Sequence, residues 1–309
     1  MMFYKSCLSA LLAAMLAVTP LTVCSAAIPQ TVQDKLAAIE ADAYGNEQSG
    51  ALLDRISRLE TDFNGNHMNG SLMARVDAIY DQLYNNAAGP SVLAKINAIE
   101  WNISHEVSMK SVQQRVTDLE LELQGKTDGG TFTSRLSSLS ELSFGNSTLP
   151  MVPTEVPMNT LIKVALVDPV NAKNLRVGDT IHFKVIDDVI VDGNLVFAKG
   201  EPGEGSVTKV RQAKNFGRDA EVIVDFKKTK AIDGTYVDTF VGDEAKEEMN
   251  QLAMAAGASI VGMALLGPLG VITGIFVNGK NIDLPAGTEV YIQTKSNQVL
   301  YGVQTTLSK

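Results

Sequence analysis

Cysteine is nearly absent from this sequence of 309 residues, in which it occurs only at Cys7 and Cys24. Both cysteines lie in an N-terminal stretch that we expect to be removed on export. A mature protein without cysteine has no disulfide bond, no reactive thiolate and no zinc–thiolate site. The three histidines, His67, His105 and His182, show no spacing that indicates a metal site. We therefore predict no metal and no cofactor.

Charge is also missing from the start of the chain, where Lys5 is the only charged residue before Asp34. An apolar run, residues 8–23, follows Lys5 and leads into three small residues. A basic start, a short apolar core and a small-residue end are typical of a secretory signal peptide. We therefore predict a signal peptide over residues 1–26 and an exported protein of the periplasm, the outer membrane or the cell surface.

A lipoprotein signal is the alternative interpretation of this segment, with Cys24 as the lipidated residue. Val23 is larger than the residue usually found immediately before such a cysteine, so ordinary cleavage is favoured. With ordinary cleavage both cysteines leave with the signal peptide.

The charge balance of the chain argues against one class of partner. The formal net charge is −9, and removal of Lys5 changes it to −10. Lys and Arg supply the phosphate contacts of nucleic-acid binding proteins, so a protein this acidic is a poor candidate. We predict no nucleic-acid partner.

The strongest pattern in the sequence is a repeat of 20 residues, of which six copies align without a gap. A fixed period of this length indicates a repeat array, which we assign to residues 31–146. Apolar residues recur at the second, sixth and ninth positions of each copy, as in Leu52, Ile56 and Leu59. The fifth position is basic in all six copies: Lys35, Arg55, Arg75, Lys95, Arg115 and Arg135.

Each copy is predicted to form one helix of about 13 residues, because its apolar residues follow the 3.6-residue period of a single helix face. Five copies open with Ser or Thr, which cap helix N-termini, and four have glycine where the apolar stripe ends. Because so short a helix is marginal alone, we expect a zigzag or a small bundle, with a continuous coiled coil as the competitor. Copy four has His105 in place of glycine, so its helix could continue into the fifth.

The fixed basic residue of each copy has two interpretations. In the first, it is a solvated position whose methylene groups cover the apolar stripe. In the second, six cations at one pitch form a ladder that binds an anionic polymer such as an envelope glycan. Acidic residues interleave with the basic ones, at Glu40, Glu60, Glu100 and Glu120, which favours the first interpretation.

The pattern changes after Gly145, where the period ends and Pro150, Pro153 and Pro157 follow. Prolines at this density are typical of an extended spacer, which we assign to residues 147–158. Beyond it, short β-branched runs alternate with turn residues, which predicts about eight strands in a small all-β barrel or sandwich over residues 159–309. The predicted strands are 161–167, 180–186, 195–197, 205–210, 220–226, 236–240, 289–294 and 299–305. The predicted fold class is therefore α+β multidomain, with an N-terminal array of six short helices.

One segment of the strand domain, residues 249–277, has no charged residue. The Gly267-Pro268 pair divides it into two arms, and small residues four apart let helices approach closely. We interpret the segment as an apolar helical hairpin insertion that is buried against the barrel, dipped into a membrane or part of a self-associating pore. The residues predicted to contact a membrane or another copy are Ala258, Gly262, Gly267, Pro268, Gly270 and Gly274.

Copies of the form Leu52-x-x-Arg55-Ile56-x-x-Leu59-Glu60 resemble short helical repeats of secreted bacterial cell-envelope proteins. The C-terminal half is weakly similar to the outer-membrane-complex barrel proteins of type IV secretion, the TrbI-like family. This second resemblance covers residues 195–200, the apolar insertion and residues 284–288. In that family an apolar helical insertion reaches the outer membrane and the barrel assembles into a ring, which implies membrane contact and self-association here.

No combination of residues in the sequence indicates a catalytic site. Gly125-Lys126-Thr127 lacks the first glycine of a phosphate-binding loop, and Asp187, Asp188 and Asp192 lie at a strand end, where carboxylates are usually turn residues. Trp101 could anchor a partner, although a single aromatic residue beside an apolar stripe usually packs in a core. We predict that the protein is not an enzyme and has no small-molecule substrate; an unrecognised hydrolase is the third hypothesis.

The function predicted from the sequence is that of a structural or adaptor protein of the cell envelope. Its barrel domain would contact the outer membrane or wall, and its helical repeats would act as a spacer or docking surface. The expected partners are a membrane, an envelope protein or another copy of the chain. The alternative is an oligomeric channel or secretion-complex component that uses residues 252–277.

Overall fold

The structure is a computed structural model that describes residues 31–212, 220–255, 275–279 and 283–305. One helix of 13 residues forms in each repeat copy of the N-terminal half, as the sequence pattern predicted. The six helices are α1 (Val32–Tyr44), α2 (Leu52–Asn64), α3 (Leu72–Tyr84), α4 (Val92–Ser104), α5 (Val112–Gln124) and α6 (Phe132–Phe144). We call these six helices and their turns the helical array.

The ends of the array helices follow from their capping residues. Before five of the helices a Ser or Thr hydroxyl accepts the backbone N–H three residues later, at 3.1–3.3 Å. Glycine takes the left-handed conformation after four of the helices. His105 takes it after α4, with φ of 53°, so α4 ends at Ser104. The prediction that the fourth and fifth helices run together is therefore wrong, because histidine occupies the left-handed region more readily than most residues.

The array is a compact bundle with one hydrophobic core. The helix α1 contacts α3 and α5, α2 contacts α3 and α6, and α4 contacts α3, α5 and α6. Ile56 and Leu59, at the sixth and ninth positions of copy two, are fully buried, and the same positions are buried in every copy. This confirms packing as a small bundle, because the helix end in every copy interrupts the seam that a coiled coil requires.

The described part of the C-terminal half contains strands and one further helix. The strands in the described residues are β1 (Met151–Val156), β2 (Leu161–Leu166), β3 (Val170–Asn171), β4 (Thr180–Val185), β5 (Val189–Val191), β6 (Asn194–Phe197), β7 (Pro202–Arg211), β8 (Ala220–Lys230), β9 (Tyr236–Phe240), β10 (Ile275–Gly279), β11 (Asp283–Leu284), β12 (Glu289–Thr294) and β13 (Gln298–Gln304). The helix α7 (Asp243–Ala255) follows β9.

Antiparallel pairing closes six of these strands into a barrel, in the order β8, β7, β4, β2, β12, β9 and back to β8. The strand β10 pairs with β8 outside this ring. A four-stranded sheet, in the order β1, β13, β6, β5, and the pair β3–β11 complete the domain. Alternating burial in β4 places Ile181, Phe183 and Val185 in the barrel core. The α+β fold with a small C-terminal barrel is confirmed.

Two sequence predictions are wrong at the borders of this domain. The middle of the predicted spacer, residues 147–158, is strand β1, in which Pro153 lies opposite Tyr301 of β13. Proline fits there because β1 is at the edge of its sheet, where one side needs no backbone donors. The last residues of the predicted hairpin, 275–277, belong to strand β10 instead. The hairpin residues 256–274 and the signal peptide, residues 1–26, lie outside the described residues.

The array and the strand domain pack directly against each other through α4. Ala94 and Ala98 on this helix are fully buried in a cluster with Leu195, Ile232 and Val303 of the strand domain. The opposite face of α4 contributes to the core of the bundle. A helix that is apolar on more than one face is buried on more than one face, so α4 is the joint between the two halves.

Candidate functional site

The basic residues at the fifth position tie neighbouring copies together. In four cases an arginine contacts the glutamate of the preceding copy, with closest N–O distances of 2.6–2.7 Å. These arginine side chains are only 5–14% exposed. The pairs, which we call the arginine–glutamate ladder, are Arg55–Glu40, Arg75–Glu60, Arg115–Glu100 and Arg135–Glu120.

Each ladder glutamate also closes the turn that follows its own helix. In three copies its carboxylate accepts the backbone N–H eight residues later, at 2.9–3.1 Å. Glu60 accepts the backbone N–H of Met68 in the same way, and the hydrogen bond from Arg75 holds the pKa of Glu60 below its usual value. A buried carboxylate needs both a cation and hydrogen bonds. The ladder therefore fixes the register of successive copies.

The ladder changes where no preceding glutamate is present. Lys35 has no preceding copy and pairs with Asp77 at 2.6 Å. Lys95 has Tyr80 at the position of the glutamate and forms no ion pair within the described residues. Because the four ladder arginines are largely buried and paired, the interpretation of a solvated position is wrong for them. The described part of the array therefore leaves no row of free cations at this position for an anionic polymer.

At α4 the ladder extends from the array into the strand domain. The Nη2 group of Arg115 donates to Oδ1 of Asn97 at 2.7 Å. The Nδ2 group of Asn97 donates to Oε1 of Glu201 and to the carbonyl of Ile232, each at 3.0 Å. In two other copies a hydroxyl takes the place of Asn97, at 3.3 Å from the arginine. The longer amide side chain of Asn97 bridges the two domains.

Glu201 lies immediately before β7 and is 1% exposed. Burial raises the pKa of its carboxyl group to about 8, since an ionised carboxylate loses its hydration there. The cations Lys230 and Arg115 oppose this rise. A buried acid with a pKa near neutrality is a common feature of functional sites.

Glu201 lines a cleft of about 270 Å³ between the two domains, which we call the interdomain cleft. Lys230 also lines it, 5.2 Å from the centre of the Tyr236 ring. No ion pair of Lys230 occurs among the described residues. Further residues around the cleft are Asp42, Leu93, Asn97, Ser108, Lys110 and Arg115 from the array, and His182, Gly203 and Glu204 from the barrel.

The turn between α4 and α5 forms one wall of the cleft and is fixed to the barrel. The backbone N–H of Val107 donates to the carbonyl of Lys199 at 2.8 Å. A Cβ atom on Gly200 would lie 2.0 Å from the Val107 carbonyl oxygen, so only glycine fits there. Trp101 donates from Nε1 to Asp188 at 2.8 Å across the same interface. Trp101 thus binds the strand domain of its own chain rather than a separate partner protein.

The residues predicted to contact a membrane or another copy lie outside the described residues: Ala258, Gly262, Gly267, Pro268, Gly270 and Gly274. Among the described residues, no helix is both long and apolar enough to cross a membrane. No group of three or more potential ligands for a metal ion occurs in that part of the chain either.

Comparisons with known proteins give a similarity among solved structures only. No protein-family model matches the chain, and no curated protein matches it. Among solved structures, ComB10 of the Com type IV secretion system of Helicobacter pylori matches 47% of this chain and 88% of its own, with 11% identity and a TM-score of 0.26. A TM-score this low supports no argument about function. The resemblance to barrel proteins of type IV secretion remains a prediction.

Sequence reasoning missed Glu201, Asn97 and Lys230. Glu201 and Asn97 are 104 residues apart, and neither belongs to a chemical motif. The one usable signal was on α4, where Leu93, Ala94 and Ala98 place apolar side chains outside the repeat stripe. That pattern predicts a second buried face, but it does not indicate which residues of the strand domain cover it.

Proposed function

We propose that this protein is a non-catalytic structural component of the bacterial cell envelope that contacts a membrane through its uncharged segment. The supporting observation is that both ends of residues 256–274 are anchored in the barrel. The segment contains no charged residue, and six of its residues are glycine or proline. An uncharged stretch of this length on a soluble monomer is a typical membrane or oligomer contact.

The first anchor is α7. Ala245 and Met249 on this helix are buried in the barrel core. The backbone N–H of Ala245 donates to Oε1 of Gln293 at 3.1 Å, and Nε2 of Gln293 donates to Glu244 at 2.8 Å. The uncharged run begins at Met249, so its first turns belong to the barrel rather than to a membrane.

The second anchor is β10, which pairs antiparallel with β8 from Ile275 to Gly279. Between the anchors, the stretch before Gly267 is residues 256–266, which is far shorter than the roughly 20 residues of a membrane-spanning helix. A segment this short on each side of Gly267 therefore suits contact with one leaflet better than passage across the bilayer. The TrbI-like resemblance implies the same kind of contact.

The array is the second part of the proposal. Its α4 face is occupied by the strand domain, and its ladder cations are paired, so it acts as a rigid extension of the barrel rather than as a free arm. In this role it holds a further envelope component at a fixed position relative to the membrane. Export of the protein through residues 1–26 is part of the same proposal.

A flotation experiment tests the membrane contact. Purified mature protein is mixed with vesicles of phosphatidylethanolamine and phosphatidylglycerol and centrifuged through a density gradient. We expect the protein to float with the vesicles. A variant in which residues 256–274 are replaced by a Gly/Ser linker of equal length should remain at the bottom, with unchanged circular dichroism.

The control is a variant with the same residues 256–274 in scrambled order, which keeps composition and changes the spacing of the small residues. Flotation of this control would indicate that apolar composition suffices. Failure of the native protein to float, or equal flotation of the linker variant, would refute the proposal. A ring-sized mass in light scattering, without flotation, would favour the oligomeric channel instead.

A further inference from the structure

A carboxyl group and an ammonium group face the interdomain cleft without forming an ion pair. Glu201 is buried on one wall, and its Oε1 atom accepts the amide of Asn97 at 3.0 Å. Lys230 lies on the same cleft, and no other cation influences the Glu201 carboxyl group as strongly. The two side chains nevertheless form no ion pair within the part of the chain that the structure describes. The two side chains are therefore close enough to interact electrostatically but too far apart to form an ion pair.

The remaining charged groups around the cleft already have partners. Their closest contacts lie between 2.6 and 3.0 Å. The pairs are Arg115–Glu100, Glu204–Lys228, Asp42–Tyr84, Lys110–Asp118 and His182–Asp168. A ligand in this cleft would therefore find one carboxyl group and one ammonium group available.

We propose that the interdomain cleft binds a small zwitterion, with Glu201 receiving an ammonium group and Lys230 a carboxylate. The volume of about 270 Å³ lies just below the about 300–1,000 Å³ of sites for drug-sized ligands, so the occupant is about the size of an amino acid or a dipeptide. Leu93, Val107 and Met109 give the cleft an apolar wall for a short aliphatic side chain.

The protonation of Glu201 gives this site a distinctive signature. The carboxyl group is protonated at neutral pH, and an ammonium ligand favours its ionised form, so binding displaces a proton. Arg115, Asp233 and Glu100 also act on this carboxyl group, and each of them has a hydrogen-bond partner of its own. Binding at pH 7 should release a proton.

Isothermal titration calorimetry of the mature protein tests the site. The zwitterionic probes are L-alanine and L-alanyl-L-alanine, which differ in the separation of their charges. The single-charge probes are propylamine and propionate. We expect at least one zwitterion to bind at least about tenfold more tightly than either single-charge probe, because each charge-assisted contact contributes about this much.

Two variants and one control identify the residues. Glu201→Gln and Lys230→Gln should each weaken binding of the zwitterion at least about tenfold, while circular dichroism stays unchanged. The matched control is Lys227→Gln, on the same strand β8 but outside the cleft, which should bind as the native protein does. If Glu201→Gln fails to fold, Lys230→Met provides a second test, because it removes the contact between Lys230 and the carboxylate of the ligand.

Proton release is read from calorimetry in buffers of different ionisation enthalpy. With a Glu201 pKa of about 8, binding should release a proton at pH 7, and the release should fall as the pH rises above 8. Absence of binding for all four probes would identify the cleft as a hydrated gap only. Equal binding of propionate, or full affinity in Glu201→Gln, would equally overturn the proposal. These outcomes are independent of vesicle flotation.

Discussion

The substitution Glu201→Gln should make the protein more stable at alkaline pH, against the usual expectation for loss of a buried charge. Gln keeps the oxygen that accepts the Asn97 amide at 3.0 Å. It also removes a carboxyl group whose pKa burial raises to about 8. The variant therefore resembles the native protein at low pH and differs from it at high pH.

The magnitude follows from the pKa values of the two states. In the unfolded chain the Glu201 carboxyl group has its ordinary pKa of 4.5, and in the folded protein burial raises that pKa to about 8. Its contribution to stability is fully present below pH 4.5 and is lost as the pH rises towards 8, since only the unfolded state releases its proton in this interval. At about 1.4 kcal/mol per pKa unit, the loss amounts to at most roughly 4–5 kcal/mol.

The assay is urea unfolding at several values between pH 5 and pH 9. Trp101 is the only tryptophan of the chain and lies at the domain interface, so its fluorescence reports separation of the two halves, and circular dichroism reports the fold. Glu201→Gln should match the native protein near pH 5 and exceed it at pH 9. The control is Glu204→Gln, a partly exposed glutamate paired with Lys228, which should leave the pH profile unchanged.

Parallel pH profiles for the native protein and Glu201→Gln would refute this reasoning. Lower stability of the variant at pH 9 would show that the ionised carboxylate gains more from Lys230 than burial costs it. Higher stability of the variant at pH 9 would mean that desolvation dominates, and lower stability would mean that the nearby cations dominate.

Two further predictions concern the array and its attachment. Arg75→Ala leaves the buried Glu60 carboxylate without its cation and should lower the free energy of unfolding by roughly 2–3 kcal/mol. The control Arg58→Ala, at an exposed position of copy two, should change it by less than about 0.5 kcal/mol. Urea unfolding measures both. Gly200→Ala brings a Cβ atom within 2.0 Å of a carbonyl oxygen of the α4–α5 turn, so it should cost at least about 2 kcal/mol more than Gly178→Ala. Gly178 has a similar positive φ and open space around it, so it isolates the backbone strain. Equal effects within either pair would contradict the assigned contacts.

The helical array was predictable from the sequence because its determinants are local and repeated. The stripe of Leu52, Ile56 and Leu59 and the cap at Ser71 act within a single copy, and six copies confirm each other. Packing of the copies into a bundle also followed, since helices this short cannot bury their apolar faces alone. The ion-pair partners of the basic residues could not be predicted, because each of these contacts joins helices of two different copies.

The strand domain was predicted less completely. Most strands could be predicted from alternating apolar and polar residues bounded by turn residues, as in Thr180–Val185. The strand β1 was missed because Pro153 suggested a spacer, although an edge strand tolerates proline. The strand β10 was missed because Ile275 to Val277 continue an uncharged run without alternation. Both strands are defined by their neighbours β13 and β8, and a single sequence does not reveal strand pairing.

Glu201 differs from the ladder glutamates in what its partner supplies. Each ladder glutamate receives a guanidinium group directly, whereas Glu201 receives only the neutral amide of Asn97, because Arg115 is already held by Glu100. A carboxyl group that obtains hydrogen bonding without a cation stays protonated when buried. Where the array meets the barrel, Glu201 is therefore a buried acid without a directly paired cation. This makes the interdomain cleft, rather than the repeated cations, the place where a small ligand or a change in pH would act on the protein.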